Sequence, residues 1–173
     1  MHKLLLCLAL LCACISAQGQ DDPYARLKEL GITLPKTSPP IATYVPYVRT
    51  GNLIFLSGLG PTKPDGETYH GKLGDKLDVK AGYDAARATG IQQLARLQEA
   101  CGGDLRKVKR IVKVLGMVNS TPDFTQQPAV INGFSDLMVA VFGDKGKHAR
   151  SAVGMASLPN DISVEVEMVV EVE

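Results

Sequence analysis

A chain of 173 residues that is 45% apolar holds one well-packed core, has little room for a second, and is too apolar to stay disordered. Its 19 Lys and Arg against 18 Asp and Glu leave a net charge of +1. It therefore lacks the clustered basic excess with which nucleic-acid binders hold phosphates, and no nucleic-acid partner is expected.

The N-terminus reads as an export signal. His2 and Lys3 precede an unbroken apolar run from Leu4 to Ile15, and the small and polar residues Ser16 to Gln20 follow. The run is shorter than the roughly 20 residues of a spanning helix, so no membrane span is expected. Residues 1–19 are expected to be removed, with the mature chain beginning near Gln20 and residing in the periplasm or outside the cell. The competing reading is a lipoprotein signal with a lipid anchor at Cys14, because Leu11-Cys12-Ala13 places small residues before that cysteine. Cys7, Cys12 and Cys14 all lie in this segment. Only Cys101 survives cleavage, as a buried structural thiol, so the mature chain has no intrachain disulfide.

Residues 20–42 are predicted to form a helix and a linker. Asp22 caps the helix, Pro23 suits its first turn, Gly31 ends it, and Pro35 to Pro40 lead into a domain spanning 43–173. Strands follow from Tyr44 to Arg49 and from Leu53 to Gly60, around the turn Thr50-Gly51-Asn52. The second strand is almost wholly apolar, which predicts that both its faces are covered. Pro61 to Asp78 is a loop or an irregular third strand around Thr68-Tyr69-His70-Gly71.

Asp78 is expected to cap a long helix reaching Gly102-Gly103, with Ile91, Leu94, Ala95 and Cys101 on its apolar face and Gln, Arg and Glu residues opposite. Val108 to Asn119 alternates as a strand whose Val108, Val112, Val114 and Val118 share a face. The basic run Arg106, Lys107, Lys109, Arg110 and Lys113 reads as a solvated edge. Asp123 or Thr125 caps the next helix, Pro128 lies in its first turn, and Val130, Phe134, Leu137, Met138 and Val141 form its buried face up to Gly143. Strands from Ser151 to Leu158 and from Ser163 to Glu173 flank a tight Pro159-Asn160-Asp161 turn and form a C-terminal hairpin. The order predicts an α+β fold: a mixed sheet of about six strands with two helices packed on one face.

Several chemistries are excluded. His2, His70 and His148 are isolated, with no cluster at metal-ligand spacing. There is neither a phosphate-binding loop nor a dinucleotide fingerprint, so no cofactor is implied. Ser57 and Ser151 lie within strands rather than at a nucleophile elbow. What remains is Arg150, at the start of the small, apolar run Ala149-Arg150-Ser151-Ala152-Val153-Gly154. A guanidinium in such surroundings needs an anion, either a ligand carboxylate or a protein carboxylate such as Glu165 or Glu167. The last strand alternates acids with apolar residues, which describes a strand with one solvated face. One of its carboxylates could instead face a cleft and serve as a general acid or base.

Two stretches carry a resemblance. Tyr44-Val45 through Gly51-Asn52-Leu53-Ile54-Phe55-Leu56-Ser57-Gly58, and Ala149-Arg150-Ser151-Ala152-Val153 through Leu158-Pro159 to Val164-Glu165-Val166-Glu167, resemble the RidA/YjgF family, earlier labelled as endoribonucleases. The resemblance implies a chorismate-mutase-like fold, a homotrimer that closes its sheets into a barrel, and ligand clefts between subunits. It also implies hydrolysis of 2-imino or enamino acids to 2-oxo acids and ammonia. By position, Arg150 clamps the substrate carboxylate with the backbone N–H of Ala152, and Glu165 orients or activates water. Tyr44 closes the pocket, and Ser57, Gly58 and Asn132 lie in or near it. His148 stands where relatives often carry proline, and Ala152 where cysteine is common. The other readings are a non-catalytic protein on the same scaffold that binds small carboxylates or unfolded chains, and a ribonuclease. The neutral charge and 5% aromatic content argue against the last.

Overall fold

The computed structural model describes residues 22–38, 43–63 and 65–173. The expected export signal, with Cys7, Cys12 and Cys14, lies outside the described residues, as does the end of the linker. Among the described residues no helix is long and apolar enough to cross a membrane.

Helix α1, Pro23–Glu29, forms as its sequence dictates. The Asp22 carboxylate accepts from the Tyr24 N–H, Pro23 occupies the first turn, and Gly31 follows with φ +66°. Tyr24 and Arg26 fix it to the rest of the domain. The Tyr24 hydroxyl donates to the Gly103 carbonyl and accepts from the Leu105 N–H, both at 3.0 Å. Arg26 donates to the Ala140 carbonyl at 3.3 Å.

Strands β1 (Tyr47–Thr50), β2 (Leu53–Leu59), β3 (Val108–Asn119), β4 (Ala149–Met155) and β5 (Val164–Val172) form one sheet of order β1-β2-β5-β3-β4. Only β3 and β4 run parallel. Helices α2, Val79–Ala100, and α3, Gln127–Phe142, pack together on one face. The core lies between them and the sheet: Ile54, Leu56, Val114, Val118, Val166, Met168 and Val170 meet Leu94, Leu97, Ile131, Phe134 and Met138.

The expected C-terminal hairpin does not form. The crossover through α3 returns the chain parallel to β3, so β4 takes one side of β3 and β5 the other. The Pro159–Asp161 turn, with Asn160 and Asp161 both at positive φ, carries the chain past the end of β3 instead of linking paired neighbours. Among the described residues the sheet has five strands, because the segment after β2 forms isolated bridges, such as Thr62 to Thr68, His70 to Ile162 and Leu73 to Ser120. Gly66, Gly71 and Gly74 at positive φ interrupt its extension.

Four further expectations change in detail. Register shifts between Val108 and Lys113 turn Ile111 rather than Val112 into the core. Helix α3 is capped neither by Asp123 nor by Thr125, since Gln126 holds the cap position without a side-chain bond. On α2 the polar side chains are not all opposite the core, because Gln93 is fully buried and Arg96 nearly so. Among the described residues no helix lies on the far face of the sheet, and Phe55, expected to be covered, is 45% exposed there.

Helices α2 and α3 cross at Gly133, where a Cβ would collide with the Tyr83 backbone carbonyl. Gly to Ala in a helix interior ordinarily gains about 1 kcal/mol. Here the overlap reverses the sign, and Gly133→Ala is expected to lower stability by about 1–3 kcal/mol in urea unfolding. A more stable variant would mean that the helices do not approach this closely.

Candidate functional site

Arg150 stands opposite Val114 in the parallel β3–β4 pair, on the sheet face covered by the helices, where it reaches under α3. Its Nη1 donates to Asn132 Oδ1 at 2.9 Å and to Ser135 Oγ at 3.0 Å, and its Nη2 to the Pro128 carbonyl at 3.4 Å. Residues 128, 132 and 135 recur at helical spacing, so one face of α3 supplies all three acceptors. Every one of them is neutral. Among the described residues no carboxylate pairs with Arg150, which is only half-buried. Glu165 and Glu167, the protein counter-ions that the sequence offered, lie on the other face of the sheet. Of the five N–H donors of a guanidinium, Nε–H and one on Nη2 remain for a two-oxygen acceptor. Ala152, two residues on, faces the same side opposite Gly116.

The other predicted residues form a second group. Glu165 stands opposite Met117 on the uncovered face, half-buried, with its carboxylate lying over Gly58. Gly58 leaves the room in which this carboxylate sits, since a Cβ there would displace Glu165 Oε1. Burial first, and the neighbouring Glu167 carboxylate second, push the Glu165 carboxyl above the usual carboxylate range. The Ser57 hydroxyl donates to the Val45 carbonyl at 2.8 Å, and the Ser57 N–H to the Pro46 carbonyl at 3.0 Å. These bonds hold the segment that carries exposed Tyr44 beside the cluster.

Three contributors were not picked out from the sequence. Between Leu56 and Leu59 the β2–β5 ladder is irregular. There Gln93 reaches down from α2 and donates to the Ser57 and Val166 carbonyls at 2.9 and 2.7 Å. Its spacing from Ala86, Gly90 and Leu97 places it on the buried face of α2, and that spacing was a usable signal. Ser135 and His148 support Arg150 and carry no such local signal. Ser57, Gly58 and Glu165 thus come together, with Tyr44 on the adjoining segment that Ser57 holds, as do Asn132, Arg150 and Ala152, but a single chain does not join the two groups.

Comparison with known proteins fits this arrangement. The YjgF/chorismate mutase-like family model, whose description also carries an endoribonuclease label, matches residues 24–172. The chain belongs to the YjgF/RidA family. Within it, Protein TCP17 of Trypanosoma cruzi is 47% identical over 148 residues, 85% of this chain and 92% of its own. The 2-iminobutanoate/2-iminopropanoate deaminase of Escherichia coli K12 is 32% identical over 129 residues, 75% of this chain and 87% of its own. The crystal structure of Atu1372 from Agrobacterium tumefaciens, a protein of unknown function, superposes with a TM-score of 0.81 at 42% identity, covering 91% of this chain and 97% of that one. The YjgF/RidA match begins inside α1, so it takes in the N-terminal helix as well as the sheet.

A carboxyl raised in the folded state is penalised there when ionised, and the stability it leaves at low pH is lost as pH rises through its folded value. Glu165→Gln is neutral at every pH, so at neutral pH it should melt above the parent protein. That gap should close as pH falls through and below the carboxylate range. Thermal melts across a pH series check this, and a gap independent of pH would contradict the burial of the charge.

Proposed function

We propose that this protein hydrolyses 2-imino acids to 2-oxo acids and ammonia in a cleft between subunits of a homotrimer. The observation that carries this reading is the Arg150 guanidinium, held by three neutral oxygens with two donors left over. A half-buried cation cradled in this way is suited to a small carboxylate. The relatives named 2-iminobutanoate/2-iminopropanoate deaminase support the substrate class.

The chemistry asks for little more. An iminium carbon is already electrophilic, so water adds to it directly once placed. Glu165 accepts a proton from that water as the C–O bond forms and returns it to the nitrogen. Glu165, ionised again, takes the carbinol O–H proton as the C–N bond breaks, ammonia leaves, and the carbonyl remains. A carboxyl whose pKa is raised by burial suits this two-way role. Positioning by Arg150, with Asn132 and Ala152 beside it, supplies the rest. Tyr44, Ser57 and Gly58 form the opposite wall.

The uncovered sheet face supports such an assembly. Val153, Met117 and Glu165 form one row across it, Ser151, Leu115 and Glu167 the next, and Lys113, Val169, Phe55 and Val48 a third. Val48 is 55% exposed and Val153 39%, and an apolar patch of this kind marks a contact surface. Burying that face against other copies would bring the Glu165 group of one subunit toward the Arg150 group of the next.

Arg150→Ala should lower kcat/KM for an imine generated in situ by about a hundredfold or more, the worth of two charge-assisted hydrogen bonds, while light scattering finds the oligomer intact. Unchanged turnover would remove the mechanism. Mixing Arg150→Ala subunits with Glu165→Gln subunits should restore activity at roughly a quarter of the sites, because random assembly pairs intact halves that often. No recovery would place both groups' partners within one subunit.

A further inference from the structure

Behind the Arg150–Ser135 bond a hydrogen-bond chain continues to His148, to which the proposed reaction gives no role. His148 Nδ1 stands 2.7 Å from the Gly146 carbonyl, and His148 Nε2 stands 3.0 Å from Ser135 Oγ. Ser135 Oγ is in turn 3.0 Å from Arg150 Nη1. A carbonyl only accepts, so the proton of the neutral imidazole belongs on Nδ1. The Nε2 lone pair then accepts from the Ser135 hydroxyl. That commits the hydroxyl proton and leaves an oxygen lone pair for Arg150. Each link fixes the direction of the next, from a backbone carbonyl to the guanidinium.

The neutral form is the one favoured here. Burial lowers the pKa of His148 most, the adjacent Arg150 cation lowers it further, and the Gly146 bond only partly opposes them. A charged imidazole would present N–H to Ser135 as well. The serine oxygen would then receive two N–H groups, its own proton would lose its acceptor, and two cations would share one hydroxyl.

We propose that His148 is a positioning residue: through Ser135 it fixes the rotation of the Arg150 guanidinium so that Nε–H and the free Nη2–H present together to the substrate carboxylate. The Asn132 bond and the longer 3.4 Å contact from Nη2 to the Pro128 carbonyl leave the guanidinium free to rock. The second bond from Nη1, donated to Ser135 Oγ, removes that freedom, and His148 keeps Ser135 turned to accept. The inference rests on Arg150 being the carboxylate anchor, and it assigns the specificity of that anchor to residues that never touch substrate.

The test compares His148→Ala, Ser135→Ala, the double variant and His148→Gln in the full-length oligomer. Imine hydrolysis is measured alongside calorimetric binding of 2-oxobutanoate. His148→Ala and Ser135→Ala should each raise KM and weaken 2-oxobutanoate binding about tenfold, with kcat within about twofold, as expected for loosening one charge-assisted bond. The double variant should be no worse than either single one, because both break the same chain. His148→Gln, whose amide can donate to Gly146 and accept from Ser135, should recover most of the binding. Additive losses, a fall in kcat with KM unchanged, or no rescue by glutamine would each overturn the proposal. A parent protein that binds 2-oxobutanoate without turning over imines would instead remove the deaminase reading, while the binding comparison still judges His148.

Discussion

The arrangement depends on a cation that the fold surrounds with oxygens but not with charge. Taking a guanidinium even halfway out of water is costly, and a protein carboxylate is the usual remedy. Here Asn132, Ser135 and Pro128 satisfy hydrogen bonds without supplying a negative charge. Such a cradle is a poor device for stability and a good one for binding, because an arriving anion is not in competition with a resident one. The backbone makes this available. The crossover through α3 puts β4 at the sheet edge and α3 above it, so an arginine at the start of β4 meets the side of a helix instead of the alternating acids of β5.

How much of this could be read beforehand follows from how local each feature is. The capped starts of α1 and α2 and the buried face of α3 depend on neighbours within a few residues, and they appear where the sequence puts them. Arg150 was conspicuous for the same reason, as a lone charge among small residues. Features set by distant parts of the chain were not legible. The Pro159–Asp161 turn is compact, and nothing nearby in sequence reveals that β3 lies between the strands it follows and precedes. Val112 and Ile111 exchanged roles because two register shifts, one on each side of Ile111, break strict alternation, and the second undoes the first, so that Val108, Val114 and Val118 still share the buried face. Ser135 reads as an ordinary helix-surface serine until β4 is laid beneath it.

Gln93 illustrates the cost of opening a ladder. Where β2 and β5 part between Leu56 and Leu59, the carbonyls of Ser57 and Val166 need donors that the strands no longer supply. Buried carbonyls left unpaired would cost about 1–3 kcal/mol each, so a side chain from α2 takes the place of the missing rungs. That opening is also where Gly58 gives Glu165 its room. The irregularity that weakens the sheet is therefore the one that seats the candidate acid, and the helix amide is what makes it tolerable.

The two groups face away from each other across one sheet, and this sets a requirement on any chemistry they share. Side chains on opposite faces are separated by the thickness of the sheet itself, which no rotamer change bridges. On the proposed assembly the obstacle becomes an ordering principle. The face that carries Glu165 is apolar enough to be buried, and burying it removes water from the carboxyl and drives its pKa further up. The same closure deprives Arg150 of solvent and makes its missing counter-ion more expensive. A 2-imino acid answers both demands at once, its carboxylate meeting the cation and its imine carbon meeting water held by the acid. An oligomer built this way would be primed for its substrate by the act of assembling, since each interface raises the free energy of two groups that only a ligand bridging them can relieve.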